Sequence, residues 1–488
     1  MKPGGSSADV VAEHVTGRGV RGVVSAAAPL AAARGAEVMR SGGNSYDAAV
    51  TAALAEAVLL PPKCGLGGDL VALRLRAGES KPEALLAIGP ACTGLAATLD
   101  SLGVLPETGP LSVGPPGAPA GYAALASEGR LPLEELARPA IEMARTGFVW
   151  SSICTALTRE SKGLLDKHQP SGCVYLPNGH PHGTGDLVTL PGLANCLEEF
   201  AARGAGIFGG PVGDALVRRV TETGGVLTME DLRQSSAEWV PAISRIVGGW
   251  RVWATPAPTY GPALLDTLEE TTGQRESLDV WQAFRRATER RRKRLGDIRA
   301  EGTSIVTAAE AGGDVVVILH SNSYSRFGSG LIVEDYDLIL NNRAGRGFTA
   351  IPGHPNAPRL GRRPATTLHA WAIGRADRPL FLGGTPGGEN QVAWNAQTLS
   401  EILLGEEHPG RLVTNPRWEW LPAIDGLAME DGLSEEVRAG LRHDAGENKS
   451  RTVGQLTVRS AQHIVEVPTT KAIVAAADPR TGGAVVPV

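Results

Sequence analysis

A long apolar segment near the start of the chain constrains the fold more than any other feature. Residues Asp47–Leu60, DAAVTAALAEAVLL, carry small or apolar side chains on nearly every side, and a helix of that kind is stable only when it is buried. Gly43 and Asn44 precede the segment as a helix cap. Of the 488 residues, 42% are hydrophobic and 20% are charged, which is enough to bury a large core. The sequence therefore predicts an ordered protein with this helix in its interior.

The composition argues against several classes of partner. The formal net charge is −5 and aromatic residues make up 5% of the chain, so neither a basic surface nor a stacking platform for nucleic acid is indicated. No apolar stretch approaches the roughly 20 residues of a membrane span, and Met1–Gly19 contains no apolar signal segment. We therefore expect a cytoplasmic protein without nucleic-acid or membrane partners, which acts on a small molecule, with a homodimer as one assembly to test.

The cysteines and histidines give no sign of a disulfide framework or a metal site. The five cysteines cannot all pair and include no CxxC motif, so we expect buried free thiols in a reducing compartment. The histidines are scattered and show no HExxH or comparable spacing. The sequence predicts no metal and no cofactor.

The periodicity of apolar residues predicts a helix-rich first half and a strand-rich second half. Residues 1–20 are interpreted as a frayed polar arm, and the basic helix at Ala283–Arg294 as a solvated face whose arginine stems cover apolar surface. Other predicted helices are 132–146, 188–204, 211–222, Thr228–Leu232 and Asn390–Leu404. Predicted strands are Leu70–Leu75, Ser304–Ala309, Asp314–His320, Gly330–Val333, Ala370–Ile373, Leu380–Gly383, Leu456–Ser460, Ile464–Val467 and Ala472–Ala476.

Two short motifs contain residues that could take part in catalysis. In Gly302–Thr303–Ser304 a small residue precedes a hydroxyl residue at the start of an apolar strand. A threonine at a chain terminus can use its own α-amine, with a reference pKa of about 7.7–8.0, as the base for its hydroxyl. The turn Gly383–Gly388, GGTPGG, precedes a helix and exposes backbone N–H donors that can hold an oxyanion. Taken alone, each motif is more typical of ordinary structure, because Gly-Thr dipeptides are common and paired glycines often form a tight turn between a strand and a helix.

Taken together, blocks of sequence resemble the γ-glutamyltransferase family of N-terminal-nucleophile hydrolases. The similarity runs from about Val20 to the C-terminus, and its blocks occur in the family's order. The blocks are GGNSYDAAVTAALAEAV, CGLGGD, SVGPPGAPAGY, FGGPVGDALVRRVTETGGVLTMEDL, FGSGL, ILNNRAGRGF, HPNAPRLGRRP, GGTPGG and ADPRTGGA.

The resemblance implies an α+β fold, a four-layer αββα sandwich. It also implies self-cleavage between Gly302 and Thr303, into a large-subunit-like region 1–302 and a small-subunit-like region 303–488 that together form one unit. Thr303 is then the nucleophile of acyl transfer. Further residues are implied at the oxyanion hole (Gly387 and Gly388), at the family's second threonine (Ser321 or Asn322) and at the substrate carboxylate (Thr366 and Thr367).

The chain also departs from the family pattern. Ser304 and Ile305 follow Thr303 where the family has threonine and histidine, and the stretch from Gly296–Asp297 to Thr303 is short. The arginine that clamps the substrate α-carboxylate is absent before Pro90. Arg346 replaces the acidic residue that binds the substrate α-amine, and Arg343 replaces a polar neighbour. We therefore expect the site to take an anionic substrate without an α-ammonium group, with Arg343 and Arg346 as candidate substrate contacts.

Three functional interpretations remain open at this point. The first is a γ-glutamyltransferase-like hydrolase or acyltransferase that cleaves an amide other than that of glutathione. The second is a biosynthetic member, similar to relatives in propylproline-type antibiotic pathways, that hydrolyses a C–C bond. The third is an uncleaved, inactive homologue that acts as a binding or scaffold protein.

Overall fold

Two stacked antiparallel sheets with helices on both outer faces make up the protein. The computed structural model describes residues 7–271, 276–296, 302–323, 326–375, 378–468 and 472–488. The α-helices in these residues are α1 (Ser7–His14), α2 (Pro29–Arg40), α3 (Ser45–Leu59), α4 (Leu95–Leu102), α5 (Ala118–Ala126), α6 (Leu133–Thr146), α7 (Ser152–Glu160), α8 (Lys162–His168), α9 (Pro191–Arg203), α10 (Pro211–Glu222), α11 (Met229–Arg233), α12 (Gly261–Glu270), α13 (Ser277–Leu295), α14 (Arg343–Gly347), α15 (Asn390–Leu403), α16 (Pro409–Thr414) and α17 (Glu435–Ala445).

The strands are shorter and more numerous than the helices. They are β1 (Thr16–Gly19), β2 (Gly22–Ala26), β3 (Asp69–Leu75), β4 (Glu83–Ala87), β5 (Phe148–Val149), β6 (Leu187–Val188), β7 (Glu238–Pro241), β8 (Ile243–Val247), β9 (Trp250–Ala254), β10 (Ser304–Glu310), β11 (Val315–Ser321), β12 (Ile332–Val333), β13 (Leu338–Ile339), β14 (Ala370–Arg375), β15 (Arg378–Gly384), β16 (Trp418–Leu421), β17 (Gly426–Glu430), β18 (Ser450–Val453), β19 (His463–Glu466), β20 (Ile473–Ala477) and β21 (Ala484–Pro487).

Each large sheet contains strands from both sides of Thr303. One sheet has the order β1-β20-β19-β15-β14-β9-β8 and the other β21-β2-β10-β11-β3-β4-β7. All strand pairs in these two sheets are antiparallel. Strand β10, which begins directly after Thr303, pairs with β2 on one side and β11 on the other. The two halves of the chain are therefore interleaved in one structural unit.

The side chains of β10 show how the four layers form. Ile305 and Ala309 point into the core between the two sheets, whereas Val306 and Ala308 point into the core beneath α2, α3, α5, α6 and α9. This alternation follows from the two-residue period of a strand. A third core joins the outer face of the other sheet to α12, α13 and α15. The αββα expectation is confirmed.

The apolar segment that opened the sequence analysis is helix α3, and every residue of it is buried. Asn44 caps it as predicted: its side chain accepts from the backbone of Tyr46 and Asp47, and Asp47 accepts in return from Asn44 N at 2.8 Å. This reciprocal box satisfies backbone donors that the first turn would otherwise leave unpaired. Four of the predicted free cysteines are buried, and Cys173 is half-buried.

Three predictions differ from the structure. The polar arm is wrong for residues 7–19, because α1 is helical and β1 pairs with β20; residues 1–6 lie outside the described residues. The strand predicted at Leu456–Ser460 is a turn, since Leu456 has a φ of +57° and the Thr457 hydroxyl bonds to Gly454 O. The basic helix is not solvated throughout, because Arg291 is buried.

Within the described part of the chain, no helix is both long enough and apolar enough to cross a membrane.

Candidate active site

The peptide bond between Gly302 and Thr303 lies at the start of β10 in a tightly packed turn. Thr303 is 2% exposed. Gly302 has a φ of +91°, and a Cβ at this position would lie 2.6 Å from Ser323 O. Glycine is the residue that tolerates both the left-handed conformation and this close approach. Residues 297–301 belong to the stretch before Thr303 that is shorter than in the family pattern. They lie outside the described residues.

Ser321 and Asn322, at the end of β11, contact the two sides of this turn. The Ser321 hydroxyl donates to Gly302 O at 2.5 Å and accepts from Ser323 N at 2.9 Å. The neighbouring Asn322 donates from its backbone N to Lys63 O at 2.9 Å and from Nδ2 to Pro61 O at 3.1 Å. Ser321 is therefore in contact with the carbonyl oxygen of the peptide bond that self-cleavage would break. Asn322 fixes the backbone around Lys63.

The glycine turn after β15 approaches the same place. Gly387 and Gly388 have φ values of +135° and +58°, and a Cβ at Gly387 would lie 2.1 Å from the Trp394 ring. Within the described part of the chain, the backbone N–H of Gly387 has no hydrogen-bond acceptor. Gly388 N lies 3.3 Å from the amide oxygen of Gln391 when that amide is oriented to satisfy its neighbours. Gly387 is thus the freer of the two N–H donors.

One cavity of about 270 Å³ joins these elements. It is lined by Gly302, Thr303 and Gly387, so the predicted nucleophile, the cleavage site and one predicted oxyanion donor share one space. Among the described residues that line it, four are basic (Lys63, Arg326, Arg459 and Arg480) and two are acidic (Glu160 and Glu419). Basic residues therefore outnumber acidic residues in the lining, which favours the binding of an anionic ligand.

A larger cavity of about 660 Å³ lies elsewhere, around Pro90, Arg294 and Arg362. None of the predicted catalytic residues is among the described residues that line it. Its size alone does not make it the site of chemistry, because a reaction needs a nucleophile and oxyanion donors within reach of one bond. We therefore take the Thr303 cavity as the candidate active site.

A buried polar network lies behind the Thr303 cavity. His320 Nε2 lies 2.8 Å from Glu56 Oε2, and His320 Nδ1 lies 2.7 Å from the Tyr122 hydroxyl. Burial acts to raise the pKa of Glu56, but its hydrogen bonds, of which that with His320 is the strongest, and the charge of Lys63 together lower it. The ligand atoms of Glu56, His320 and Cys64 lie within 4.8 Å of one another, which is close enough to contact a single metal ion. Because both imidazole nitrogens already have partners, this network supports the packing of β10 and β11 rather than a metal.

Thr366 and Thr367, the candidate carboxylate contacts, lie just before β14. Both are buried, at 0% and 2% exposure. Thr366 N donates to Pro258 O at 3.0 Å, and the Thr367 hydroxyl lies 3.2 Å from the Gln391 amide. Neither is among the described residues that line the Thr303 cavity. Their contact with substrate stays a prediction.

The two arginines of α14 are engaged with carboxylates. Arg343 is 2% exposed and donates from Nε to Asp69 Oδ2 at 2.8 Å, and Arg346 pairs with Glu107 at 2.7 Å. Burial raises the pKa of Asp69, although Arg343 acts in the opposite direction. Neither arginine is among the described residues of the Thr303 cavity. The structure gives Arg343 a role in holding β3 to α14, and substrate contact by either arginine stays a prediction.

The absence of the family's arginine before Pro90 has a structural cause. The residue there is Gly89, and a Cβ on it would lie 1.6 Å from Pro115 O. Gly89 N also donates to Asp69 Oδ1 at 3.2 Å. The backbone of the SVGPPGAPAGY block therefore occupies the space that a side chain at position 89 would need.

Two features of the site were missed by the sequence analysis. Lys63 lines the Thr303 cavity, and its only signal was a basic residue inside the otherwise apolar run LLPPKCGLGG. The ion pair of Arg291 on α13 with Glu389, 2.5 Å apart, ties α13 to the glycine turn next to Gly388. Little in the sequence indicated this ion pair, because Arg291 is one of several arginines on a basic helix.

Comparisons with known proteins agree with the motif blocks. A family model described as gamma-glutamyltranspeptidase matches residues 31–304 and 296–488. The chain is 24% identical to the glutathione hydrolase proenzyme of Escherichia coli over 519 aligned residues, 90% of this chain and 89% of that protein. It is 32% identical to the acylase ACY 1 proenzyme of a Pseudomonas species, strain SE83, over 52% of this chain and 48% of that protein. The solved structure of a cephalosporin acylase from Bacillus halodurans matches with a TM-score of 0.85 at 27% identity, covering 100% of this chain and 98% of that one.

Proposed function

The chain belongs to the gamma-glutamyltranspeptidase family, and we propose that it is an amide hydrolase or acyltransferase that first cleaves itself between Gly302 and Thr303. The observation that carries this proposal is the 2.5 Å hydrogen bond from the Ser321 hydroxyl to Gly302 O, at the edge of the cavity that contains Thr303. A donor on the scissile carbonyl polarises the bond that the Thr303 hydroxyl must attack. It also stabilises the oxyanion that forms there.

Self-cleavage is proposed to proceed through an ester. The Thr303 hydroxyl attacks the carbonyl carbon of Gly302, and the negative charge on Gly302 O is held by Ser321. The C–N bond then breaks, and the departing nitrogen takes the proton that the hydroxyl has lost. Water hydrolyses the resulting ester, which leaves a carboxylate on Gly302 and a free α-amine on Thr303.

Turnover of an external amide is proposed to use that new amine. With a reference pKa of about 7.7–8.0, the amine accepts the hydroxyl proton near neutral pH. The hydroxyl attacks the substrate carbonyl, and the N–H of Gly387, assisted by Gly388, stabilises the oxyanion. The leaving amine departs with the proton, and water or an acceptor amine releases the acyl group from Thr303.

The proposed substrate is an amide whose acyl group lacks an α-ammonium. One structural observation supports this, because position 89 has no space for an arginine side chain. The family resemblance adds a second reason, since it implies an ammonium-binding acid at the sequence position of Arg346. The test compares γ-glutamyl-p-nitroanilide with its des-amino analogue, glutaryl-p-nitroanilide. We expect glutaryl turnover to be the faster, and efficient, preferred turnover of the γ-glutamyl compound would instead indicate an ordinary γ-glutamyltransferase.

Processing has its own test, which also separates the alternatives. Intact mass spectrometry and a denaturing gel after long incubation should show two chains, residues 1–302 and 303–488. One intact species with an unmodified Thr303 would favour the uncleaved scaffold. The C–C hydrolase alternative stays a prediction, and it would be favoured by a processed protein that turns over neither anilide.

A further inference from the structure

Lys63 is a buried cation of the Thr303 cavity that the proposed chemistry does not use. It lies in the turn between α3 and β3, is 7% exposed, and lines the cavity beside Gly302 and Thr303. Its backbone is held at both ends, because its N–H donates to Leu60 O and its carbonyl accepts from Asn322 N, both at 2.9 Å. Since Ser321 contacts Gly302 O and the adjacent Asn322 contacts Lys63, the lysine is fixed next to the reactive bond.

The Lys63 ammonium has no recorded hydrogen bond or ion pair within the described ranges, although it lies inside the protein. Glu56 attracts it electrostatically. However, Glu56 already accepts from Ala27 N at 2.6 Å and pairs with His320 at 2.8 Å. Burial lowers the pKa of Lys63, which shows the cost of keeping this charge out of water. An anionic ligand in the cavity would remove that cost.

The three other cations of the cavity are in a different state. Arg326 is only half-buried. The side chain of Arg480 is fully buried and is paired with Glu430 at 2.7 Å and with Asp478 at 3.0 Å. Arg459 is exposed, so solvent screens its charge. Lys63 is therefore the buried lining cation for which the structure records no counter-ion.

We propose that Lys63 binds a free carboxylate of the substrate while the substrate amide meets Thr303. A charge-assisted hydrogen bond from the Lys63 ammonium to a carboxylate would orient the amide as well as bind it. The carboxylate can belong to the acyl chain or to the leaving amine, because either would supply the missing counter-ion. This inference rests on the proposed function, since it assumes amide turnover at Thr303.

Three anilides distinguish the two positions of the carboxylate. Glutaryl-p-nitroanilide carries it on the acyl side, 4-(butyrylamino)benzoate carries it on the leaving-group side, and butyryl-p-nitroanilide carries none. In the wild-type protein we expect kcat/KM for one of the two acids to exceed that for the neutral anilide. Lys63→Met should reduce that ratio by about tenfold or more, the scale for loss of one partner of a buried charge pair. Lys63→Arg should retain more of the ratio.

A matched control lies on the rim of the same cavity. Arg459→Met removes one exposed positive charge, so the ratio should change by less than about threefold. An unchanged ratio in Lys63→Met, or an equal loss in Arg459→Met, would overturn the assignment of Lys63, because the preference would then come from the general field of the cavity.

A binding measurement makes the test independent of turnover. Calorimetry with glutarate, and with glutaramide as the uncharged control, should show glutarate binding weakened about tenfold or more by Lys63→Met. If the chain stays uncut and hydrolyses none of the anilides but Lys63→Met still weakens glutarate binding, the proposed function fails and the carboxylate site stands. If anilides are hydrolysed but glutarate binds both proteins equally, the carboxylate site fails alone. Lys63→Met should fold, since the ammonium makes no hydrogen bond or ion pair among the described residues, and a Tm close to that of the wild type checks this.

Discussion

Lys63 and Arg343 are both buried cations, yet their surroundings differ. Arg343 donates to Asp69 at 2.8 Å, inside the core that joins β3 to α14. Lys63 faces the cavity that contains Thr303 and has no recorded partner of opposite charge within the described ranges. A buried charge that is paired within the protein contributes to architecture, whereas one that faces an empty cavity is available to a ligand.

This contrast changes which basic residue is expected to determine substrate specificity. The sequence directed attention to Arg343 and Arg346, because the family resemblance implies substrate contact at their positions. In the structure those two arginines have carboxylate partners, Asp69 and Glu107. Among the described residues that line the candidate catalytic cavity, the buried basic residue without a carboxylate partner is instead Lys63, and the following variants test this difference.

The largest expected effect comes from Thr303→Ala. If the Thr303 cavity is the reactive region, this variant should remain a single 488-residue chain of 50.8 kDa and should hydrolyse none of the anilides, because the only proposed nucleophile is gone. Circular dichroism should show an intact fold. Turnover at the native rate would show that the nucleophile has been misassigned.

Ser321→Ala is the companion to that variant. It keeps the nucleophile but removes the donor on Gly302 O, so self-cleavage should slow by about 100-fold or more, as for the loss of one oxyanion donor. The appearance of the chain 303–488 on a denaturing gel over time measures the rate. Cleavage as fast as in the wild type would mean that the hydrogen bond only stabilises the turn.

Arg343→Met tests the other side of the comparison. Removing one partner leaves Asp69 buried and unpaired, so the free energy of unfolding should fall by about 3–5 kcal/mol. Chemical denaturation measures this loss, and the double variant with Asp69→Asn should recover a large part of it. The preference among anilides should be unchanged, and a loss of carboxylate preference together with unaltered stability would return Arg343 to the substrate site.

The pH dependence separates the lysine from an arginine. Burial lowers the pKa of Lys63 below its ordinary value of 10.5; Glu56 and Cys64 oppose that shift, and Arg326 adds to it. As the pH rises through this lowered pKa the ammonium is lost, so the preference for the carboxylate anilide should decline, by up to about tenfold. The Thr303 amine also titrates, but it acts on both anilides and cancels in the ratio.

Lys63→Arg is the control for that profile. A guanidinium stays charged throughout the accessible range, so the preference of this variant should not decline with pH. A decline of equal size in both proteins would assign the titration to another group.

The smallest expected effect belongs to Arg346→Asp. If Arg346 repels an α-ammonium, the preference should shift toward γ-glutamyl-p-nitroanilide, by about three- to tenfold for one charge reversal next to the exposed Glu107. The ratio of kcat/KM for the γ-glutamyl and glutaryl anilides measures it. No shift would mean that the charge of Arg346 serves only its contact with Glu107 and the loop around it.

The sequence by itself determined the elements whose causes are local or periodic. Helix α3 was recognised because an all-apolar helix has only the interior to occupy, and β10 because a short apolar run follows Thr303. The αββα architecture was implied by the resemblance of the motif blocks to the family. Periodicity failed at Leu456–Ser460, where the left-handed conformation of Leu456 ends any strand.

Only the tertiary structure decided which charges are paired and which are exposed to the cavity. Arg343 and Asp69 are 274 positions apart, and Asn322 reaches Lys63 across a comparable stretch of chain. Whether position 89 could hold an arginine depended on Pro115, which packs against it from another segment. The energy of a buried charge depends on neighbours within a few ångströms, and a linear sequence does not specify those neighbours until the two sheets are stacked.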